Sequence, residues 1–490
     1  MSQIKPNSTS FLKEFFTLML PTLLGNLLVV GMTLSDHVMT TALGGAETGG
    51  IFYANQLFLI YSYLVTGIEA ALAITGAQSV GNGSKKSFQT MLSPAIFCTL
   101  TLSLLATIIC ILMPKVLISL FTGNGDAIGY GVRYLRIIAL SFIPFSLSRM
   151  LISAARCHGR AMPSFCSAAT ALTSNVLLNA LFIYVFDLGV VGIGASTLIA
   201  RSAELIVAMI SVRRSLGGEI KLSALLSLSA SGVKSFLRAL LPLLLGQLVW
   251  SASNLFSSTV ISRSLGELSS AWGVTASLSS LAYTLMNATS SSAGVLVSRA
   301  VGRGDEDARE YASGRSTDRR TIPPLCTSSK PQFSFGAKGC AIHARPSHRF
   351  CLGEVISFSQ KLFLLTSLLS FVLIFALREP FIALYRLSSP DAAAAREMMG
   401  VLAITFAATA YSAAALFGIV KSAGGIWSVI LTDAFCFFAL TLPLGLALFG
   451  SGASGATLLF ALRLEHIVKC PIAYGMIRRV RFVKRLTKAT

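Results

Sequence analysis

Asp36, Asn175, Asn179 and Thr197 are the residues of this chain whose types and positions could do chemistry together. Each lies inside a long apolar stretch, where ionisable and amide side chains are costly and mark a pathway or a partner. Asn175 and Asn179 are four apart, so a helix places them on one face. At about 1.5 Å of rise per residue, three of these positions reach a similar depth: Asp36 late in the first stretch, Asn179 late in the fifth, and Thr197 two turns into the sixth. One carboxylate, two amide carbonyls and a hydroxyl at one level could cage Na⁺, or present a carboxyl that exchanges a proton. The competing reading is helix glue, since Asn and Thr in membrane helices often only bridge neighbours, at about 0.6 kcal/mol each.

The elements that must hold these residues follow from composition. Apolar residues make up 54% of the 490 and charged residues 12%, with a mean hydropathy of +0.73. Such a chain is a membrane protein, since a soluble domain carries about twice that charge. Apolar segments fall near 15–40, 52–78, 93–121, 129–154, 162–186 and 190–212, then near 237–262, 268–299, 358–378, 393–420, 425–449 and 453–477. Twelve spans are expected, many longer than the bilayer needs. Pro21, Pro144, Pro242 and Pro443 sit inside them, where neighbouring helices can satisfy the freed carbonyls. The first run is too long for a cleavable leader and reads as a span. The nine cysteines are scattered without a C-x-x-C pair and read as small apolar residues.

Two pairs of segments, one in each half of the chain, are near copies in a single register. Pro21-Thr-Leu-Leu-Gly25 recurs as Pro242-Leu-Leu-Leu-Gly246, and Val80-Gly-Asn-Gly83 recurs as Val301-Gly-Arg-Gly304. Six spans separate the copies, so both halves enter the membrane in one direction, as a parallel repeat. The expected fold is all-α: twelve transmembrane helices in two six-helix lobes, related by a pseudo-twofold along the membrane normal. Residues 1–222 form the first lobe and 223–490 the second, with the basic stretch 213–236 between them. Lys85, Lys86, Arg156, Arg160, Arg213, Arg214, Lys221, Lys234, Arg299, Arg303 and the tail from Arg478 to Lys488 fall on one side. The opposite loops are poorer in base, with Arg133, Arg136, Arg263, Arg378 and Arg386 as exceptions, which puts both termini in the cytoplasm. The net charge of +20 is this excess facing anionic lipid, and no nucleic-acid partner is implied.

The order and spacing of several segments resemble the multidrug and toxic compound extrusion (MATE) family of cation-coupled antiporters. The first span reads P-T-L-L-G-N-L-L-V-V-G-M-T-L-S-D-H-V-M-T-T-A-L-G-G, and the second ends A-Q-S-V-G-N-G. The fifth carries N-V-L-L-N, the sixth V-G-I-G-A-S-T and the eleventh A-L-T-L-P-L-G. The resemblance implies that Asp36 and the polar pair of the fifth span form a cation site in the first lobe. Some branches of the family also place acids on the seventh and tenth spans. Here those spans offer Gln247, Trp250, Ser253 and Asn254, then Tyr411 and Ser412, and the repeat partner of Asp36 is Ser257. Coupling is therefore expected in the first lobe.

Other polar residues divide between cargo and structure. Glu69 lies mid-membrane with no partner evident from sequence and is a candidate for cargo or proton binding. Trp250, Asn254, Tyr411 and Asp433 complete the candidate cargo cavity, and Phe145, Phe256, Tyr283 and Met286 could hold flat cations by cation–π contact. Such aromatic stripes more often pack or face lipid. His37 points about 100° from Asp36 and reads as a helix-end neighbour. Arg201 and Glu204, three apart, read as a structural ion pair. Arg463, Glu465 and His466 could line the second lobe's cavity, with Arg463–Glu465 equally an interhelical pair.

Residues 305–357 do not belong to this pattern. L-I-S-L-F (117–121) matches F-I-A-L-Y (381–385), a larger offset than the one relating the earlier segments, so the second half carries an insertion. This atypical cytoplasmic loop reads as disordered or as a reading-frame artefact. Cys340, His343, His348 and Cys351 could ligate Zn²⁺ in principle, but their spacing matches no common structural site.

The expected function is export of small organic cations, in exchange for H⁺ or Na⁺ through Asp36, by a monomer in a bacterial inner membrane. No cofactor is implied. A flippase for lipid-linked oligosaccharide is the alternative; it would need many central bases for pyrophosphate. No span carries a metal pair or nucleophile constellation, so an enzyme is not expected.

Overall fold

The computed structural model describes residues 8–40, 43–217, 228–303, 352–385 and 387–479, with 483 and 486. Twelve long helices follow one another: α1 (Ser8–Thr40), α2 (Gly45–Gly81), α3 (Lys85–Leu112), α4 (Gly125–Cys157), α5 (Met162–Val185), α6 (Gly189–Leu216), α7 (Ala230–Leu265), α8 (Ser269–Arg303), α9 (Leu352–Leu384), α10 (Ser389–Lys421), α11 (Ile426–Leu448) and α12 (Gly455–Arg479). A long helix stands at each of the twelve expected positions. Cys340, His343, His348 and Cys351, with most of the 305–357 insertion, lie outside the described residues.

Local chemistry explains where the helices begin, end and deform. Ser84 caps α3 by accepting from the Ser87 amide at 3.1 Å, and Asn124 caps α4 by accepting from Asp126 and Ala127 at 3.0 and 3.2 Å. The third span was expected to run to 121 without a break. Pro114 ends α3 at Leu112 and opens a separate short helix, Pro114–Ser119, because a proline disfavours helix in the residue before it. Pro144 and Pro443 each remove one backbone donor. The chain tightens to a 3₁₀ turn at Ala139–Ser141 just before the first and widens to a π-turn at Phe437–Thr441 just before the second.

Within the first lobe α5 packs on α6, and α2 packs on α3 and α4; within the second, α9 packs on α10, α10 on α12, and α8 on α9. The lobes meet through α1 against α8, α2 against α7, and α2 against α8. The first two contacts are one contact repeated by the duplication, and the third is its own counterpart.

The helices are polar inside and apolar outside, as lipid requires. On α3, Thr99, Ser103 and Thr107 are buried while Leu104, Leu105, Ile108 and Ile109 are exposed. On α9, Ser359, Thr366 and Ser370 are buried while Leu364, Leu365, Leu368 and Leu369 are exposed. With hydrocarbon outside, small hydroxyl residues join helices and large apolar ones face the tails. Among the described residues ten helices are long and apolar enough to cross a membrane, and α8 and α12 fall outside that set.

A candidate cation site in the first lobe

Asp36 lies one turn before the end of α1, partly buried where α1 packs on α5. Asn179 reaches it from α5: its amide nitrogen donates to Asp36 Oδ1 at 2.6 Å and to Asn175 Oδ1 at 3.2 Å. Both amide hydrogens are thereby used. The Asn179 carbonyl accepts from the Ser196 hydroxyl of α6. Asn175, Asn179 and Ser196 are fully buried. Immediately after Asn179 and Ala180 the helix widens into a π-turn, Leu181–Val185, a deformation frequent at functional sites.

The structure thus joins three of the four expected site residues directly. Thr197 is buried beside them, but its hydroxyl donates to Ile193 O of its own helix at 3.0 Å. Ser196, its neighbour, makes the bond across helices. The V-G-I-G-A-S-T motif pointed to both hydroxyls, and only helical phase separates them. Tyr134 adds a further hydroxyl near Thr197 and donates to Asn55 Oδ1 at 3.2 Å. Beyond this cluster, a cavity of about 660 Å³ opens at the α4 and α5–α6 end, with Tyr130, Arg133, Ile183, Asp187 and Val190 in its lining.

The five carboxylates that the sequence places in the membrane have unlike surroundings. Glu69 is held by Arg149 at 2.6 Å and by Arg156, both from α4. Glu204 holds Arg201 at 2.8 Å, the pair expected from their spacing. Lys469 lies 2.9 Å from Asp433 and 3.6 Å from Glu465. Asp36 alone of the five has no Lys, Arg or His nitrogen within ion-pair distance among the described residues. The neutral Asn179 amide donates to it, while Arg201, itself held by Glu204, and His37 act on it only as electrostatic neighbours beyond ion-pair distance. Such an arrangement could take a mobile cation.

The candidate cargo residues are dispersed. Trp250 packs edge-on against Tyr63 at 6.2 Å, across the lobe boundary. Asn254 donates to Trp250 O at 2.8 Å, and Tyr411 is partly buried against the core. Glu69 is committed to α4 within the first lobe, and Asp433 to α12 within the second. Arg463, read as a cavity residue or equally as a partner of Glu465, donates to Ser279 at 3.2 Å and lies over the Phe406 ring at 5.7 Å. Sequence reasoning missed Arg149, Arg156 and Lys469 as partners. Arg149 and Arg156 are seven apart and so share a helix face, and Lys469 follows Glu465 by four, so the signal was present.

Residues 21–185 match the MatE family model. The multidrug resistance protein PmpM of Pseudomonas aeruginosa is 25% identical over 177 residues, which cover 35% of this chain and 36% of that protein. The match therefore spans about a third of the length of this curated relative. A mutant of the Vibrio cholerae MATE transporter VcmN superposes with a TM-score of 0.79 at 16% identity, covering 98% of this chain and 99% of the other. A MOP superfamily transporter from Pyrococcus furiosus, described with a binding pocket of reverse polarity, superposes with a TM-score of 0.73 at 16% identity over 96% of each chain. The duplicated twelve-helix frame is thus shared along almost the whole chain, and the sequence match falls on the half that carries the Asp36 cluster. The chain matches the MatE family model over residues 21–185 and shares the fold of solved MATE transporters along nearly its whole length.

Proposed function

We propose that this protein is a secondary antiporter that exports organic cations in exchange for H⁺ or Na⁺, coupled through Asp36. The observation that carries the reading is the lack of any ionic partner for Asp36 among the described residues, when the other four intramembrane carboxylates each hold a Lys or Arg. An unpaired carboxylate is stable at this depth only with a cation or a proton on it. Binding and release on opposite sides then change the charge among α1, α5 and α6 once per cycle. Asn179 couples that change to packing, because it ties Asp36 to Asn175 and Ser196 together. The likeness to a multidrug resistance protein supports the cargo class.

In this reading the protein works as a monomer in a bacterial inner membrane. The end bearing the cavity lined by Tyr130 and Arg133 faces outward, and the end bearing the basic loops and both termini faces the cytoplasm. The flippase alternative is less well supported. Arg149, Arg156, Arg201 and Lys469 do sit inside the lobes, but each is held by a carboxylate of the protein and is not free for pyrophosphate.

Uptake of ethidium into everted membrane vesicles, with pH and Na⁺ gradients imposed separately, tests the proposal. One gradient should drive uptake in the wild type and neither should in Asp36→Asn. Equal uptake in that variant would sink the reading.

A further inference from the structure

The second lobe has an ionic cluster of its own that the coupling site does not use. Asp433 of α11 and Glu465 of α12 are each about 5% exposed, and Lys469, one turn beyond Glu465, is buried to the same degree. The Lys469 ammonium bridges the two acids at 2.9 and 3.6 Å. Glu465 also accepts from Thr441 at 2.8 Å and from Ser253 of α7 at 3.4 Å, with His466 Nε2 at 3.5 Å. Lys421 of α10 is an electrostatic neighbour of Asp433 and lies 5.2 Å over the Phe417 ring. Cys436 and Arg463 are the remaining titratable groups around the cluster. Two π-turns border it, Ala414–Lys421 and Phe437–Thr441, and the second supplies Thr441.

Two carboxylates with a serine and a threonine hydroxyl, drawn from three helices, are the oxygen set that a monovalent cation would need. Here an ammonium of the chain already sits between the acids. Buried ion pairs contribute little net stability, so a stability role does not account for this cluster. The duplication gives a further contrast. Glu465 is the repeat counterpart of Arg201, in the same register that matches Leu117 to Phe381. Arg201 and Glu204 neutralise each other and leave the nearby Asp36 unpaired. In the second lobe the tethered Lys469 engages both acids.

We infer that Lys469 is a tethered cation occupying the second lobe's ion position, so that one mobile cation is exchanged per cycle. The inference rests on the coupling role proposed for Asp36. A free ion would have to displace an ammonium whose effective concentration is fixed by its own helix, and it does not compete. The chemical class that the vacated site would accept is a small monovalent cation, H⁺ or Na⁺.

Thermal unfolding of the purified full-length protein tests this without transport. Asp36→Asn silences the first-lobe site, and the second lobe is then read alone. In that background, replacing choline by Na⁺, or moving from mildly alkaline to mildly acidic buffer, should leave the melting temperature unmoved while Lys469 is present. Asp36→Asn with Lys469→Met should gain stabilisation on the order of 2 °C from one of the two cations at about tenfold over its Kd. Restoring a tethered charge with Lys469→Arg should abolish that gain. Cation-dependent melting of Asp36→Asn itself would overturn the inference, and so would cation-independent melting of the Lys469→Met double variant. If the double variant does not fold, Asp36→Asn with Lys469→Gln, which keeps a polar side chain at that place, is read in the same way and with the same two overturning results. Failure of the Asp36 reading is seen separately, as ethidium uptake that survives Asp36→Asn.

Discussion

Gly81 and Gly302 are counterparts under the repeat, and they press against each other's helices where the lobes meet. A Cβ on Gly81 would overlap the carbonyl oxygen of Arg299, and a Cβ on Gly302 would overlap that of Gln78. Gln78 and Arg299 are themselves counterparts in the same register, so the two overlaps are one contact seen twice. Only glycine lets the backbones of α2 and α8 come this close. Side chains reinforce the closure. Arg299 crosses from the second lobe to donate to Cys157 O at 2.8 Å and to approach Glu14 at 3.3 Å, and Gln78 accepts from the Leu486 amide of the tail at 2.9 Å.

Gly81→Ala or Gly302→Ala should therefore force this end apart. Overpacking of this kind costs about 1–3 kcal/mol, enough to shift a two-state balance at least fivefold. In a chain that keeps Cys157 as its sole cysteine, maleimide labelling should rise by at least that factor. Labelling that stays at the wild-type rate would mean that the glycines do not set the closure.

Asn179→Ala should weaken coupling without removing the charge of Asp36. The variant deletes one hydrogen bond to a carboxylate, worth about 1.5–3 kcal/mol, and leaves the Ser196 hydroxyl only its bond to Ile193 O on its own helix. The concentration of driving cation at half-maximal ethidium export should rise at least tenfold, while the maximal rate falls less. Ser196→Ala should move the same parameter in the same direction by a smaller factor.

Glu69→Gln separates a structural role from a cargo role. The change leaves Arg149 and Arg156 facing each other in the first lobe. Removing one partner of a buried pair costs about 3–5 kcal/mol, and the cost should lie at or below the lower limit here because Arg149 is 33% exposed. Melting should fall by several degrees while export per folded molecule stays near wild type. Loss of export from a fully folded variant would return Glu69 to the cargo site.

The sequence was most readable where a single helix carries the information. The twelve apolar segments, the proline positions and the Asn175–Asn179 spacing each depend on residues close in the chain. The repeat extended this reach, because identical offsets imply identical placement. Partners across helices were not readable in the same way. Glu69 seemed solitary because Arg149 and Arg156 lie two helices further along the chain, and the choice of Ser196 over Thr197 turned on a helical phase of about 100°. Opposite charge made Arg463 one candidate partner of Glu465, whereas Lys469 takes that place because it lies one turn away on the same face.

The polarity of α12 bears on how the chain enters the membrane. A segment with Arg463, Glu465, His466 and Lys469 near its middle partitions poorly into lipid on its own, since each centred charge adds about 2.5–3.5 kcal/mol to insertion. The 2.9 Å pair between Lys469 and Asp433 of the preceding helix neutralises one charge on each. Helices α11 and α12 then have reason to leave the translocation machinery together, as a hairpin already paired. Entry of α12 would thus depend on α11 waiting for its partner, and a variant lacking Asp433 should show its defect first as misrouting of the residues that follow α12.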